Sequence, residues 1–61
     1  MTKDLWEIEI GDVLVLDNVQ HKITDTSYVK KPDPFVVGEV DGEEYEIRGN
    51  VHGDTQFEIV N

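Results

Sequence analysis

Residues 35 to 48 read FVVGEVDGEEYEIR, and this stretch decides the fold. A valine-rich run precedes the dipeptide Asp41-Gly42, and a run that alternates Tyr45 and Ile47 with charged residues follows it. Asp-Gly is a preferred pair for the two-residue type I′ turn of a β-hairpin, because both turn positions need a positive φ. The stretch therefore predicts an antiparallel hairpin with strands at residues 35–40 and 43–48.

The register of this hairpin follows from its turn, because the residues that flank a two-residue loop face each other. One face is then apolar and pairs Val36 with Ile47, and on it the ring of Tyr45 is expected to cover Gly38. The remaining pairs are Val40 with Glu43, Glu39 with Glu44, Val37 with Glu46 and Phe35 with Arg48. Glu39 thus faces a like charge, an arrangement that destabilises a sheet.

The hairpin carries five acids within eight residues, namely Glu39, Asp41, Glu43, Glu44 and Glu46. The whole chain has 14 acidic and 5 basic residues and a net charge of −9. Such a chain repels nucleic-acid backbones and anionic membranes, so we expect no direct binding to either. The expected partner is a basic protein surface, while solubility and adaptation to high salt remain alternative explanations of the acidity.

Phe35 and Arg48 complete the predicted partner-binding surface, because they share a face of the hairpin with Glu46. This combination places an apolar patch beside an acidic one, and such a surface suits a basic partner. For Phe35, burial by a curved sheet is the favoured interpretation. For the five acids, ordinary solvated charge is the alternative to a functional face.

The rest of the chain predicts further short strands and no long helix. Alternation of Trp6, Ile8 and Ile10 with acids predicts a first strand over residues 2–10, although Asp4 and Glu7 have the spacing of a helical cap. Trp6 is expected in the core or at the end of the barrel, and an exposed Trp6 would instead be an interface anchor. Further strands are predicted at residues 13–16, 20–26 and 55–60, with turns or loops at 17–18, 27–34 and 49–54.

These elements predict one all-β domain over residues 1–61, a small antiparallel barrel or strongly bent sheet of five to six short strands. In architecture it resembles a miniature SH3-like or OB-like domain. The chain has no cysteine, so no disulfide or thiolate metal site supports so small a core. No apolar run follows a basic segment within residues 1–10, which favours the cytoplasm, or a host's cytoplasm for a viral protein.

Enzymatic chemistry is not expected. His21 and His52 form a metal site only if both converge with a carboxylate such as Asp25 or Asp54, and two packed or solvated histidines are the simpler interpretation. A carboxylate pair for hydrolysis needs a cleft that 61 residues hardly provide. We therefore predict no cofactor, no metal and no catalytic residue.

The function predicted from these observations is non-enzymatic binding through the acidic hairpin. Acids two apart on one strand are spaced roughly 6.6 Å, the scale of charge spacing in nucleic acids. In composition the chain resembles small phage-encoded inhibitors of host defence nucleases, which implies a block of a partner's nucleic-acid-binding site. The alternative is a structural or assembly subunit that completes its sheet as a homo-oligomer, and a metal-assisted enzyme is the third hypothesis.

Overall fold

A computed structural model describes residues 1–49 and 56–60. The all-β class predicted from the sequence is confirmed, and the single helical segment in these residues is a 3₁₀ turn, Leu5–Glu7. The strands are β1 (Thr2–Asp4), β2 (Val13–Leu16), β3 (Val19–Asp25), β4 (Phe35–Val40), β5 (Glu43–Arg48) and β6 (Gln56–Val60).

The six strands form one antiparallel sheet in the order β1-β6-β2-β3-β4-β5. This confirms the predicted number of short strands, and β2 lies within the sheet, where it pairs with both β6 and β3. The sheet does not close into a barrel. Within residues 1–49 and 56–60, β1 and β5 are its two edges, each paired on one side.

The sheet is strongly curved around a single core. Four strand steps separate β5 from β6, which is roughly 19 Å in a flat sheet, yet Ile47 and Phe57 belong to the same buried cluster. The buried residues of this cluster are Leu5, Ile8, Leu14, Ile23, Val36, Ile47, Phe57 and Ile59. Because every strand from β2 to β6 contributes to it, curvature replaces the second layer that a small domain otherwise needs.

One end of the curved sheet is tightly packed by Leu5. A Cβ placed on Gly49, just after β5, lies 2.9 Å from a methyl carbon of Leu5. Only a residue without a side chain fits at that distance, so Gly49 allows the 3₁₀ turn to meet the end of β5. The sheet edges therefore approach each other at this end.

The prediction of one strand over residues 2–10, with Trp6, Ile8 and Ile10 on one face, is wrong beyond Asp4, where β1 ends. Residues 5–7 form the 3₁₀ turn, and the core positions are Leu5 and Ile8, three residues apart. A helical turn changes the side-chain period from two to about three, so Trp6 and Ile10 point elsewhere. Trp6 is 53% exposed and Ile10 66% exposed, so Trp6 is not a core residue.

The alternative interpretation of this segment, a capped helical turn, is confirmed. The backbone N–H of Asp4 donates a hydrogen bond of 3.0 Å to Oε1 of Glu7. This contact satisfies one backbone donor at the start of the turn. The spacing of Asp4 and Glu7 therefore indicates the correct local structure. The alternating pattern does not apply to the residues that follow, because β1 ends at Asp4.

Both predicted tight turns have the geometry that their residues favour. Asp17 and Asn18 have φ values of 51° and 65°, and Asp41 has 50° and Gly42 84°. Positive φ at both central positions is typical of type I′ turns, whose twist matches that of the flanking strands. The 27–34 loop is also confirmed, whereas residues 50–54 of the predicted second loop and Thr55 of the last strand lie outside the described residues.

Asp12 connects three separate parts of the chain. Its Oδ2 accepts hydrogen bonds of 2.9 Å from the ammonium group of Lys3 and from the N–H of Glu9, and its carbonyl oxygen accepts one of 2.8 Å from the N–H of Ile23. The Glu9 N–H and then the Lys3 ammonium hold the pKa of the Asp12 carboxyl below its usual range. Asp12 thus fastens β1 and β3 to the turn before β2.

We expect the substitution Asp12→Asn to lower the free energy of unfolding at pH 7. A carboxyl with a lowered pKa stabilises the fold above its unfolded pKa of about 3.9, and this contribution disappears as the pH falls through its folded pKa. The gap in stability between the wild type and Asp12→Asn should therefore close below about pH 4. Urea unfolding measured between pH 2 and pH 7 checks this.

Asp17→Asn is the matched control, because it removes the same charge in a turn where asparagine adopts a positive φ equally well. Its stability should stay near that of the wild type at each pH. An Asp12→Asn variant whose deficit is the same at pH 2 and pH 7 contradicts the assigned role of the carboxylate.

Candidate functional site

The predicted register of the β4–β5 hairpin is confirmed at every position. Val40 faces Glu43 beside the turn, and Glu39 directly opposes Glu44. The other pairs are Gly38 with Tyr45, Val37 with Glu46, Val36 with Ile47 and Phe35 with Arg48. The local turn chemistry alone therefore fixes which side chains share a face.

The five acids of the hairpin do not form one surface. Glu39, Glu44 and Glu46 lie on the face opposite to the buried core, here called the outer face. Glu43 lies on the inner face, which carries the buried core side chains, and Asp41 lies in the turn. The candidate acidic site is accordingly reduced to three carboxylates.

Glu43 has a local partner. Its Oε2 accepts a hydrogen bond of 2.8 Å from the hydroxyl group of Tyr45, two residues along the same strand. The hydrogen bond and the negative charge of Glu43 raise the pKa of the Tyr45 hydroxyl above its ordinary value. The hydroxyl therefore stays protonated at neutral pH and keeps both side chains at the edge of the inner face.

The prediction that Tyr45 covers Gly38 is wrong. A Cβ placed on Gly38 lies 2.9 Å from the Cβ of His21 and 3.0 Å from Cδ1 of Ile47, so these two side chains occupy the space. The ring of Tyr45 instead makes an edge contact with His21, with ring centroids 6.0 Å apart, and is 46% exposed. The prediction failed because it considered only the two strands of the hairpin. It left out β3, the strand that places His21 over Gly38.

Phe35 is half-buried, but its cover comes from side chains and not from closure of the sheet. Its ring stacks on that of Tyr28 with centroids 4.6 Å apart and planes inclined by 10°. The guanidinium carbon of Arg48 lies 4.9 Å from the ring centroid. The loop at residues 27–34 and the cross-strand neighbour of Phe35 therefore bury it together.

Arg48 is engaged within the chain. Its guanidinium group donates to Oδ2 of Asp33 and, at 2.7 Å, to Oε1 of Glu46. Arg48 therefore neutralises part of the outer face and ties the loop at residues 27–34 to β5. Among the three outer-face acids, Glu46 is paired in this way, whereas Glu39 and Glu44 face each other across the two strands.

Sequence analysis missed Lys22, which faces Glu39 from the neighbouring strand β3. The outer-face row therefore reads Lys22, Glu39 and Glu44 across three strands. The loop at residues 27–34, and not a tight turn, joins β3 to β4. The sequence therefore does not indicate how these two strands are aligned. The position of Lys22 in this row is therefore a result of the folded sheet.

A shallow depression of about 520 Å³ lies on the outer face beside this row. Tyr28, Phe35 and Val37 line it with apolar surface, and Glu44 and Asp25 line it with carboxylates. Asp25 accepts hydrogen bonds from the N–H and hydroxyl groups of Ser27, and these lower the pKa of its carboxyl. Asp25 therefore adds a fixed negative charge that sequence analysis did not assign to this surface.

A second, more apolar groove of about 730 Å³ opens on the inner face between β5 and the β2–β3 turn. It is a gap in the curved sheet between β5 on one side and β2, β3 and β6 on the other. Its apolar lining comes from Leu16, Val19, Val40, Tyr45, Ile47 and Phe57. Val19 and Tyr45 are both exposed, so the core is not fully covered at this gap.

The described residues give no support to a metal site. Residues 1–49 and 56–60 contain no group of three side chains placed to hold a metal ion. His21 is half-buried and its Nδ1 lies 3.2 Å from the carbonyl oxygen of Val19. His52, which the metal hypothesis needs, and Asp54, one of its two candidate carboxylates, lie outside the described residues.

A helix with the length and hydrophobicity to span a bilayer is not found in the described part of the chain. Comparison with known proteins adds no further constraint on function. No protein-family model matches the chain, and no curated protein or solved structure matches it.

Glu44→Lys tests the outer-face row. Because it replaces a like-charge pair with an opposite-charge pair opposite Glu39, we expect the free energy of unfolding to rise by roughly 0.2–1 kcal/mol. Urea unfolding at low and at molar salt measures the effect, which should shrink as salt screens the charges.

Glu58→Lys is its control, since the same charge change on β6 faces the uncharged Thr2 and Val15. It reports the effect of lowering the net charge alone. Equal stabilisation by the two substitutions contradicts a specific repulsion between Glu39 and Glu44.

Proposed function

We propose that this chain is a non-enzymatic binding protein that docks the outer face of the β4–β5 hairpin on a basic surface of a partner protein. The direct opposition of Glu39 and Glu44 carries the proposal. Like charges in this position cost stability in the free protein. A partner's lysine or arginine placed between them removes the repulsion, so binding recovers energy that folding alone does not.

The depression beside these acids, which combines aromatic rings with carboxylates, supports the same function. Interfaces combine apolar anchors at the centre with polar residues at the rim, and charge alone gives little net affinity. Tyr28 and Phe35 present stacked rings next to Glu44. The aliphatic part of a partner's lysine or arginine can lie on the rings while its charged group reaches a carboxylate. Arg48 makes the same type of contact with Phe35 inside the chain.

The class of partner that fits best is a nucleic-acid-binding protein. Glu44 and Glu46 point to one face two residues apart, roughly 6.6 Å, and a basic groove built for phosphates attracts such a row. On this proposal the chain competes with the nucleic acid for the groove, in the manner of a phage-type inhibitor acting in the cytoplasm of a host.

The pair Glu39→Lys and Glu44→Lys, made together, tests this function. We expect the double variant to lose about a hundredfold or more in affinity, because two attractive contacts with a basic surface become repulsive. The partner is first captured with the wild-type chain from a lysate of the native host and identified by mass spectrometry. Its affinity is then measured for both chains at two salt concentrations.

Glu9→Lys with Glu58→Lys is the matched control, because both acids are exposed and lie away from the hairpin. This control should bind within a few-fold of the wild type, and wild-type binding should weaken steeply with salt. Equal affinity of the two double variants, both folded by urea unfolding, removes the outer face from the proposal.

A structural or assembly subunit is the second candidate, and the open sheet favours it. The apolar groove and the unpaired side of β5 can be covered by another copy of the chain. Sedimentation equilibrium at micromolar concentration decides between the candidates. A stable oligomer supports assembly, and a monomer at all concentrations contradicts it.

A further inference from the structure

The hydrogen-bonding pattern of the hairpin identifies which backbone groups of β5 do not bond to β4. A two-residue turn makes its flanking residues, Val40 and Glu43, a hydrogen-bonded pair. Hydrogen-bonded and non-hydrogen-bonded pairs alternate along antiparallel strands. The backbone groups of Tyr45 and Ile47 therefore also point towards β4.

By the same alternation, the N–H and C=O groups of Glu44, Glu46 and Arg48 point away from β4. No strand in residues 1–49 or 56–60 pairs with this side of β5. Three residues thus present three backbone donors and three acceptors in a row along an open edge. Such an edge is a template for one more strand.

The two sides of this open edge differ in character. On the inner side, Tyr45 and Ile47 border the apolar groove, whose opposite wall includes Leu16, Val19 and Phe57. On the outer side, the side chains of Glu44 and Glu46 flank the edge. A strand laid along β5 places alternate side chains into the groove and beside the carboxylates.

We propose that the partner contributes an extended segment that adds to the free edge of β5. Its sequence alternates apolar residues, which fill the groove, with lysine or arginine, which face Glu44 and Glu46. The inference rests on the proposed function for the charge of the partner, and it adds the mode of recognition. Backbone hydrogen bonds supply the affinity, and the alternating side chains supply the specificity.

Charge selects this occupant over a second copy of the chain. Antiparallel pairing of two β5 strands that brings Glu44 opposite Arg48 also brings Glu46 opposite its own copy. Two chains of net charge −9 repel each other in addition. Acidic residues on an edge strand oppose self-pairing, while the same residues attract a basic strand.

The protein side of the test compares Glu46→Pro with Glu46→Gln. Both remove the carboxylate and its pair with Arg48, but only proline also removes the outward N–H and adds bulk at the edge. Proline is tolerated at an edge position whose N–H faces outward, so the hairpin should fold. The probe is a capped peptide of alternating lysine and valine, seven residues long.

We expect the peptide to bind Glu46→Gln more weakly than the wild type, because one of the two carboxylates is lost, and to bind Glu46→Pro at least about tenfold more weakly than Glu46→Gln. Binding should slow amide hydrogen exchange at Glu44, Glu46 and Arg48. A peptide of the same composition with its lysines and valines in separate blocks should bind at least about tenfold more weakly than the alternating one. Should Glu46→Pro fail to fold, a probe N-methylated at alternate residues must lose binding to the wild type.

Equal binding of the proline and glutamine variants overturns the inference, as does equal binding of the block peptide or no binding of the alternating peptide at millimolar concentration. The captured partner separates the two proposals. A partner that needs Glu39 and Glu44 but binds Glu46→Pro as it binds Glu46→Gln leaves the proposed function standing and removes strand addition. Indifference to the Glu39 and Glu44 reversals removes the proposed function itself.

Discussion

The Asp41-Gly42 turn is the constraint on which the rest of the structure depends. Its two positive φ values set the register of β4 and β5, and a slip of one residue would exchange the inner and outer faces of a strand. The register buries Val36 and Ile47, brings Glu39 opposite Glu44 and decides which backbone groups of β5 point away from β4. The core, the charge pattern and the direction of these backbone groups therefore have one local cause.

Incomplete closure of the sheet follows from how few residues surround the core. Leu5 fills the space against Gly49 and seals one end, because glycine lets the two segments meet. Where the β2–β3 turn faces β5, the groove lined by Val19 and Tyr45 remains open. A chain of 61 residues has a thin margin of stability, and the apolar surface left in this groove makes a partner or a second copy favourable.

The sequence predicted what local chemistry determines. The hairpin register, the type I′ turn at Asp41-Gly42, the turn at residues 17–18 and the loop at residues 27–34 all depend on neighbouring residues, and each is found as expected. Contacts between distant segments were not predictable in this way. His21 reaches Gly38 and Lys22 reaches Glu39 only through the pairing of β3 with β4, whose register the 27–34 loop does not encode. The exposure of Trp6 was missed because alternation and helical spacing competed over the same residues.

Amide hydrogen exchange of the free protein, measured residue by residue, tests the central claim most directly. The account predicts alternation along β5: slow exchange at Tyr45 and Ile47, whose N–H groups bond to β4, and fast exchange at Glu44, Glu46 and Arg48. Uniform protection along β5 would contradict the account, because it requires a strand on the open edge. Uniformly fast exchange would contradict the hairpin on which the whole structure depends.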